Sequence, residues 1–193
     1  MRLILIIFTI FFIFGCSKKD KTNESEKLIK TKKETPPSIQ NPSYPKFFYI
    51  QDIDKRKSKI DIYKDRVFFH KIGQKIVILN IFSTECAPCR GMLPYLNDLQ
   101  LKNRKDVFIL GIRVGKEMSD LELRAFMKKY HLSFFISNYY TNNELAKEIA
   151  LRLNLPRDYK IPLTVIYKDG KYIIHISGAT PPEMIQNIID QIK

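Results

Sequence analysis

The chain has 193 residues, 45% of them hydrophobic and 27% charged, a balance that excludes a disordered protein or a coiled coil. Its longest apolar stretch, residues 3–14, falls short of the roughly 17–25 residues of a transmembrane helix. The net charge of +13 does not point to nucleic acid, because the basic residues are scattered and not interleaved with aromatics on one face; a membrane surface or an acidic partner is the better use of the surplus.

Residues 1–15 read as an export signal, with Arg2 ahead of the apolar run and Gly15-Cys16 after it. The segment Ile13-Phe14-Gly15-Cys16 resembles a bacterial lipobox, which implies that Cys16 is lipidated and becomes the new N-terminus. What remains is enough for one domain and hardly two. Residues 16–45 form a tether. Positions 17–35 hold seven Lys against four acids, Pro36, Pro37, Pro42 and Pro45 follow, and no apolar period appears. Such a segment buries too little to offset its ordering entropy.

The domain is expected over 46–193. Residues 47–50 read as a strand. Residues 59–63 alternate and 67–69 follow across a short polar turn, which predicts a hairpin. The continuous apolar run 76–82 has strand length and fits a central strand covered on both faces. A helix is expected over 87–102, with Met92, Leu93, Leu96 and Leu99 on its buried face. Residues 107–114 predict a second buried strand. Ser119 and Asp120 offer caps to a helix whose apolar set is Leu121, Leu123, Phe126, Met127 and Tyr130. A short strand follows at 134–136, then a helix from Asn143 to about Leu153. The runs 163–167 and 172–176 flank Asp169-Gly170, a strong hairpin signal. Pro181 and Pro182 open a last helix over 183–192, with Met184, Ile185, Ile188 and Ile189 apolar. Strands alternating with helices predict an α/β fold with a mixed central sheet.

Cys86-Ala87-Pro88-Cys89 falls between a buried strand and an amphipathic helix. A thiolate, not a thiol, attacks disulfides, and the unpaired amides of a helix N-terminus stabilise negative charge there. Cys89, one turn on, is placed to resolve a mixed disulfide. Pro88 has the fixed φ suited to a helix start. Two other readings compete. A structural zinc needs four ligands, yet there is no second such pair and His70, His131 and His175 are scattered singly. A purely structural disulfide closing so short a loop would restrict the unfolded chain little. His70 and His175 sit in strand-like runs as packed or surface residues.

The run 77–90 (Val-Ile-Leu-Asn-Ile-Phe-Ser-Thr-Glu-Cys-Ala-Pro-Cys-Arg), Pro94 five residues past Cys89, Ile161-Pro162 before a strand and Gly178 after the hairpin occur in this order. Residues 46–193 thereby resemble the thioredoxin superfamily, in particular its exported, membrane-tethered TlpA/ResA-like thiol–disulfide oxidoreductases. The resemblance implies a thioredoxin-like fold with an N-terminal strand and hairpin extension. The long separation of Cys86 from Pro162 fits the insertion that TlpA-like proteins carry. It further implies Cys86 as the attacking thiolate, Cys89 as the resolving thiol, and Ile161 with Pro162, joined by a cis peptide bond, as the substrate platform. No metal or organic cofactor is implied, since electrons pass through the Cys86–Cys89 disulfide. The implied partners are protein thiols and disulfides, a membrane thiol donor, and the membrane itself through the lipid anchor. The chain is expected to be a monomer in the periplasm or cell envelope, working as a reductant, for example on apocytochrome c.

Three positions depart from that family. Asn80 stands where thioredoxin has a buried acid, Met92 where ResA-like proteins often have a glutamate, and Glu85 where a tryptophan commonly precedes the first cysteine. Glu85 is thus the only acid beside the pair, either a proton shuttle or a solvated carboxylate without a role. A different class of function, a copper-handling module, also uses paired cysteines on this fold. Its usual distal histidine and wider cysteine spacing are not evident.

Overall fold

The computed structural model describes residues 45–193; the leader, Cys16 and nearly all of the tether lie outside the described residues. In chain order the elements are β1 (Lys46–Gln51), β2 (Lys57–Ile62), β3 (Val67–Phe69), β4 (Ile76–Phe82), α1 (Ala87–Asn103), β5 (Val107–Arg113), α2 (Asp120–Lys129), β6 (Phe135–Ser137), α3 (Asn142–Arg152), β7 (Leu163–Lys168), β8 (Lys171–Ser177) and α4 (Pro182–Ile192). The apolar run at 76–82 is β4, buried at every residue. It is buried because it is the middle strand of a five-stranded sheet ordered β6-β5-β4-β7-β8. β4 pairs in parallel with β5 and antiparallel with β7, so the central sheet is mixed.

Alternate residues of β4 serve two cores. Ile76, Ile78 and Phe82 pack against Met92, Leu93 and Leu96 of α1, Leu123 of α2 and Ile185 of α4. Leu79 and Ile81 face the other way, toward Leu145 and Ile149 of α3 and Ile50, Ile60 and Ile62 of the N-terminal strands. Each such apolar side chain contributes about 1.5–3 kcal/mol on full burial. The N-terminal strands do not extend the central sheet. They form their own antiparallel sheet, β1-β2-β3, laid over its second face. Gly170 fixes the junction: Val67 N–H donates to its carbonyl at 2.8 Å, and a Cβ there would meet Val67 O at 2.4 Å. With φ at 75° as well, only glycine suits that turn.

α2 starts with a full capping box: the Ser119 hydroxyl accepts from Glu122 N–H at 3.2 Å and the Glu122 carboxylate accepts from Ser119 N–H at 2.8 Å. Two residues of the expected apolar sets face away from the core. Leu121 is not part of the buried stripe but 77% exposed, because it lies about 200° around the helix from Leu123. Met184 of α4 is exposed in the same way, leaving Ile185 and Ile189 to face the core.

Candidate active site

β4 ends at Phe82, and residues 83–85 lead to Cys86 at the start of α1. Local bonds hold that loop. Ser83 Oγ accepts from Glu85 N–H at 3.2 Å, Cys86 N–H donates to Ser83 O at 3.2 Å, and Arg90 Nη1 donates to Thr84 O at 3.0 Å. Cys86 is the N-cap of α1, with extended backbone (φ −78°, ψ 113°), half-buried, and its sulfur accepts from Cys89 N–H at 3.1 Å. Pro88 brings no amide and the first turn carries no acid, so nothing in that turn competes for the positive end of the helix. Cys89 is 1% exposed and bonded to Cys86, with their Cα atoms 5.2 Å apart.

The loop before β7 faces the pair. The carbonyl oxygen of Ile161 is 3.7 Å from Cys86 Sγ, and the Ile161–Pro162 peptide bond is cis. Pro162 is buried, and its carbonyl accepts from Gly178 N–H at 2.8 Å. Gly178 reaches that position with φ at 91°, a conformation that favours glycine. Three segments far apart in sequence, residues 83–90, 161–162 and 178, thus come together around Cys86.

Behind the pair, Met92 is packed into the same apolar cluster as Cys89. Asn80, 1% exposed, donates from Nδ2 to Thr164 Oγ1 at 3.0 Å, while its Oδ1 has no hydrogen-bond partner among the described residues. Glu85 is exposed, and its recorded bond is made by its backbone. Cys16 lies outside the described residues. A groove of about 520 Å³ runs beside the disulfide between Pro88, Met92 and Tyr95 on one side and Thr180 and Pro181 on the other. A cleft of about 600 Å³ by Tyr63, Arg152 and Tyr172 lies elsewhere and holds no cysteine. Among the described residues, no group of three or more His, Cys, Asp or Glu is placed to hold a metal ion.

The supporting bonds of Ser83, Arg90 and Thr164 are not anticipated from sequence. Arg90 had a local signal, since it stands one turn after Cys86. Thr164 had none, because its meeting with Asn80 depends on the β4–β7 register.

No protein-family model matches the sequence. The chain is 27% identical to the thiol-disulfide oxidoreductase ResA of Bacillus thuringiensis subsp. konkukian over 146 residues, 75% of this chain and 74% of that protein. It is 27% identical to ResA of Geobacillus thermodenitrificans over 148 residues, 76% of this chain and 74% of that one. Among solved structures, StoA from Bacillus subtilis superposes with a TM-score of 0.53 at 17% identity, covering 76% of this chain and 98% of StoA. A secreted Mycobacterium tuberculosis disulfide oxidoreductase gives 0.52 at 19% identity, covering 75% and 95%. Structures that distant establish the fold, and the fold is that of thioredoxin. With the ResA relatives and a cysteine pair at bonding distance, the chain is a thiol–disulfide oxidoreductase similar to the ResA proteins.

Proposed function

We propose that the protein reduces disulfides in partner polypeptides outside the cytoplasm, with Cys86 as the nucleophile and Cys89 as the resolving thiol. The observation that carries this reading is the asymmetry of the pair. Cys86 is half-exposed at the helix N-cap with an amide on its sulfur, while Cys89 is buried. In the reduced protein the Cys86 thiolate attacks one sulfur of a partner disulfide. That S–S bond breaks, the partner's other sulfur leaves as a thiolate and takes up a proton, and a mixed disulfide remains. Cys89 then loses its proton and attacks the Cys86 sulfur, forming the Cys86–Cys89 bond and releasing the partner's second thiol. Two electrons and two protons have passed to the partner, and no cofactor enters.

A membrane thiol carrier returns the pair to the dithiol by the same exchange in reverse. The partner segment lies along Ile161 and Pro162, beside Cys86. Among the described residues no carboxylate is buried behind the pair, so the proton exchange falls to water and to Glu85 at the surface. Residues 46–193 make up the working domain, residues 16–45 its tether, and lipidated Cys16 holds it at the membrane after the leader is removed. Apocytochrome c is the kind of oxidised target the resemblance favours.

The test is asymmetric trapping. In cells, Cys89→Ser accumulates mixed disulfides with partner proteins through Cys86, and Cys86→Ser traps little and loses disulfide reductase activity. Equal trapping by both variants, or faster alkylation of Cys89 than of Cys86 by iodoacetamide in the reduced protein, overturns the assignment.

A further inference from the structure

The wet face of an antiparallel sheet covered on one side ordinarily alternates to polar residues. The outer face of the β1–β2–β3 sheet does not. The register sets Phe47, Asp61 and Phe68 in one row across the three strands and Tyr49 opposite Lys59 in the next. Tyr63 adds a fourth ring beyond the end of β2. Phe47 is 62% exposed, Tyr49 49%, Tyr63 41% and Phe68 46%. The rings group in edge-to-face pairs, Phe47 with Tyr49 at 6.1 Å and Tyr63 with Phe68 at 5.5 Å.

Cations are set among these rings. Lys59 Nζ stands 5.0 Å from the Phe47 centroid and Arg66 5.9 Å from that of Phe68. Lys57, Lys64 and Lys71 lie exposed around them. Against these five cations stand the carboxylates of Asp61 and Asp65. One of them, Asp61, already has Lys59 Nζ and His70 Nε2 each at 2.8 Å. The chain entering β1 is basic as well, with seven Lys against four acids over 17–35.

We propose that this outer face docks on an anionic lipid bilayer. Aromatic rings flanked by Lys and Arg match the headgroup level of a membrane, where rings settle at the interface and cations are drawn to anionic lipid. The cationic excess favours acidic headgroups over a neutral glycan or a second copy of this equally basic chain. Cys86 and Cys89 belong with the core on the opposite side of the central sheet, so docking leaves them reachable. The proposal depends neither on the redox reading nor on a lipid at Cys16.

The sequence holds no Trp, so Phe68→Trp in the full chain is a unique fluorophore. Tyr95→Trp, on α1 across the central sheet, is the control. With mixed phosphatidylcholine–phosphatidylglycerol vesicles, Phe68→Trp emission shifts to the blue and brominated lipid quenches it, whereas Tyr95→Trp does neither. The signal vanishes on pure phosphatidylcholine, and at 1 M salt, where the Debye length is about 3 Å. Adding Phe47→Ser and Tyr49→Ser to the Phe68→Trp chain weakens its response to vesicles about tenfold or more. Retained near-ultraviolet dichroism certifies the fold, and Phe47→Trp replaces any probe that misfolds. Equal quenching of both probes, an unshifted Phe68→Trp on anionic vesicles, or a lipid-free blue shift that grows with protein concentration overturns the proposal, the last in favour of self-association.

Discussion

The two faces of the central sheet are closed by different physics. Toward α1, α2 and α4 the interface is mainly apolar side chains, with Cys89 packed into it as one more and buried Asn80 hydrogen-bonded to Thr164. Toward α3 and the N-terminal sheet, apolar packing is joined by charge at the periphery. Glu148, 4% exposed, takes Lys46 Nζ at 2.6 Å and Arg152 Nε at 2.8 Å, tying the start of β1 to α3 across most of the domain sequence. The disulfide therefore sits on the face whose packing does not depend on ion pairs. The N-terminal extension is attached by apolar packing, with ion pairs at its edge.

Truncating each face in turn sharpens the contrast. Phe82→Ala on the first face empties a fully buried site at the end of β4, and about 3–5 kcal/mol of stability is lost in urea denaturation. Because Phe82 adjoins the 83–85 loop, that variant also changes how fast the reduced cysteines are alkylated. Glu148→Ala on the second face removes a buried carboxylate that accepts from both Lys46 and Arg152 and costs about 1–3 kcal/mol. Its alkylation pattern stays that of the wild type. A Glu148→Ala protein with altered cysteine reactivity would show that the faces are not independent. Comparable in size is Gly170→Ala, which forces the β7–β8 turn away from Val67 and costs about 1–3 kcal/mol. Hydrogen exchange should locate the damage, with the Val67 amide losing protection and the Cys89 amide keeping it.

The first face was legible in the sequence and the second only in part. Helical spacing in α1 and the apolar run of β4 are local signals, and Cys86 at a strand-to-helix junction carries its chemistry in its position. The Glu148 ion pairs join residues with no local pattern between them. The run Phe47-Phe48-Tyr49-Ile50 is apolar on both parities, so nothing in it says that Phe47 and Tyr49 face water while Ile50 is buried. Likewise Asn80 reads as a missing acid, yet only the β4–β7 pairing reveals Thr164 as its partner. The buried Arg113, whose Nε donates to Asn138 Oδ1 at 2.7 Å, had no sequence signal for the same reason.

The weakest tie between the two regions runs around the edge of the sheet. Lys55, in the β1–β2 turn, donates to the carboxylate of Asp120 at the start of α2, and Asn138 Nδ2 donates to it at 3.1 Å. The Lys55 hydrogen bond, followed by that of Asn138, holds the Asp120 carboxyl below its ordinary range. A carboxyl depressed in the folded state stabilises the fold above its unfolded value of about 3.9, and that contribution is lost as the pH falls through the lower folded value. Lys55 is exposed and Asp120 only half-buried, so screening limits the effect to about 0.5 kcal/mol. In Asp120→Asn the part of the acid-induced loss between pH 5 and pH 2 that belongs to this group should disappear, read as a smaller drop in urea midpoint than in the wild type. Raising the salt should shrink the difference between the two proteins. If Asp120→Asn loses as much stability in acid as the wild type, Lys55 contributes nothing to the joint, and the N-terminal sheet is held to α2 by other contacts.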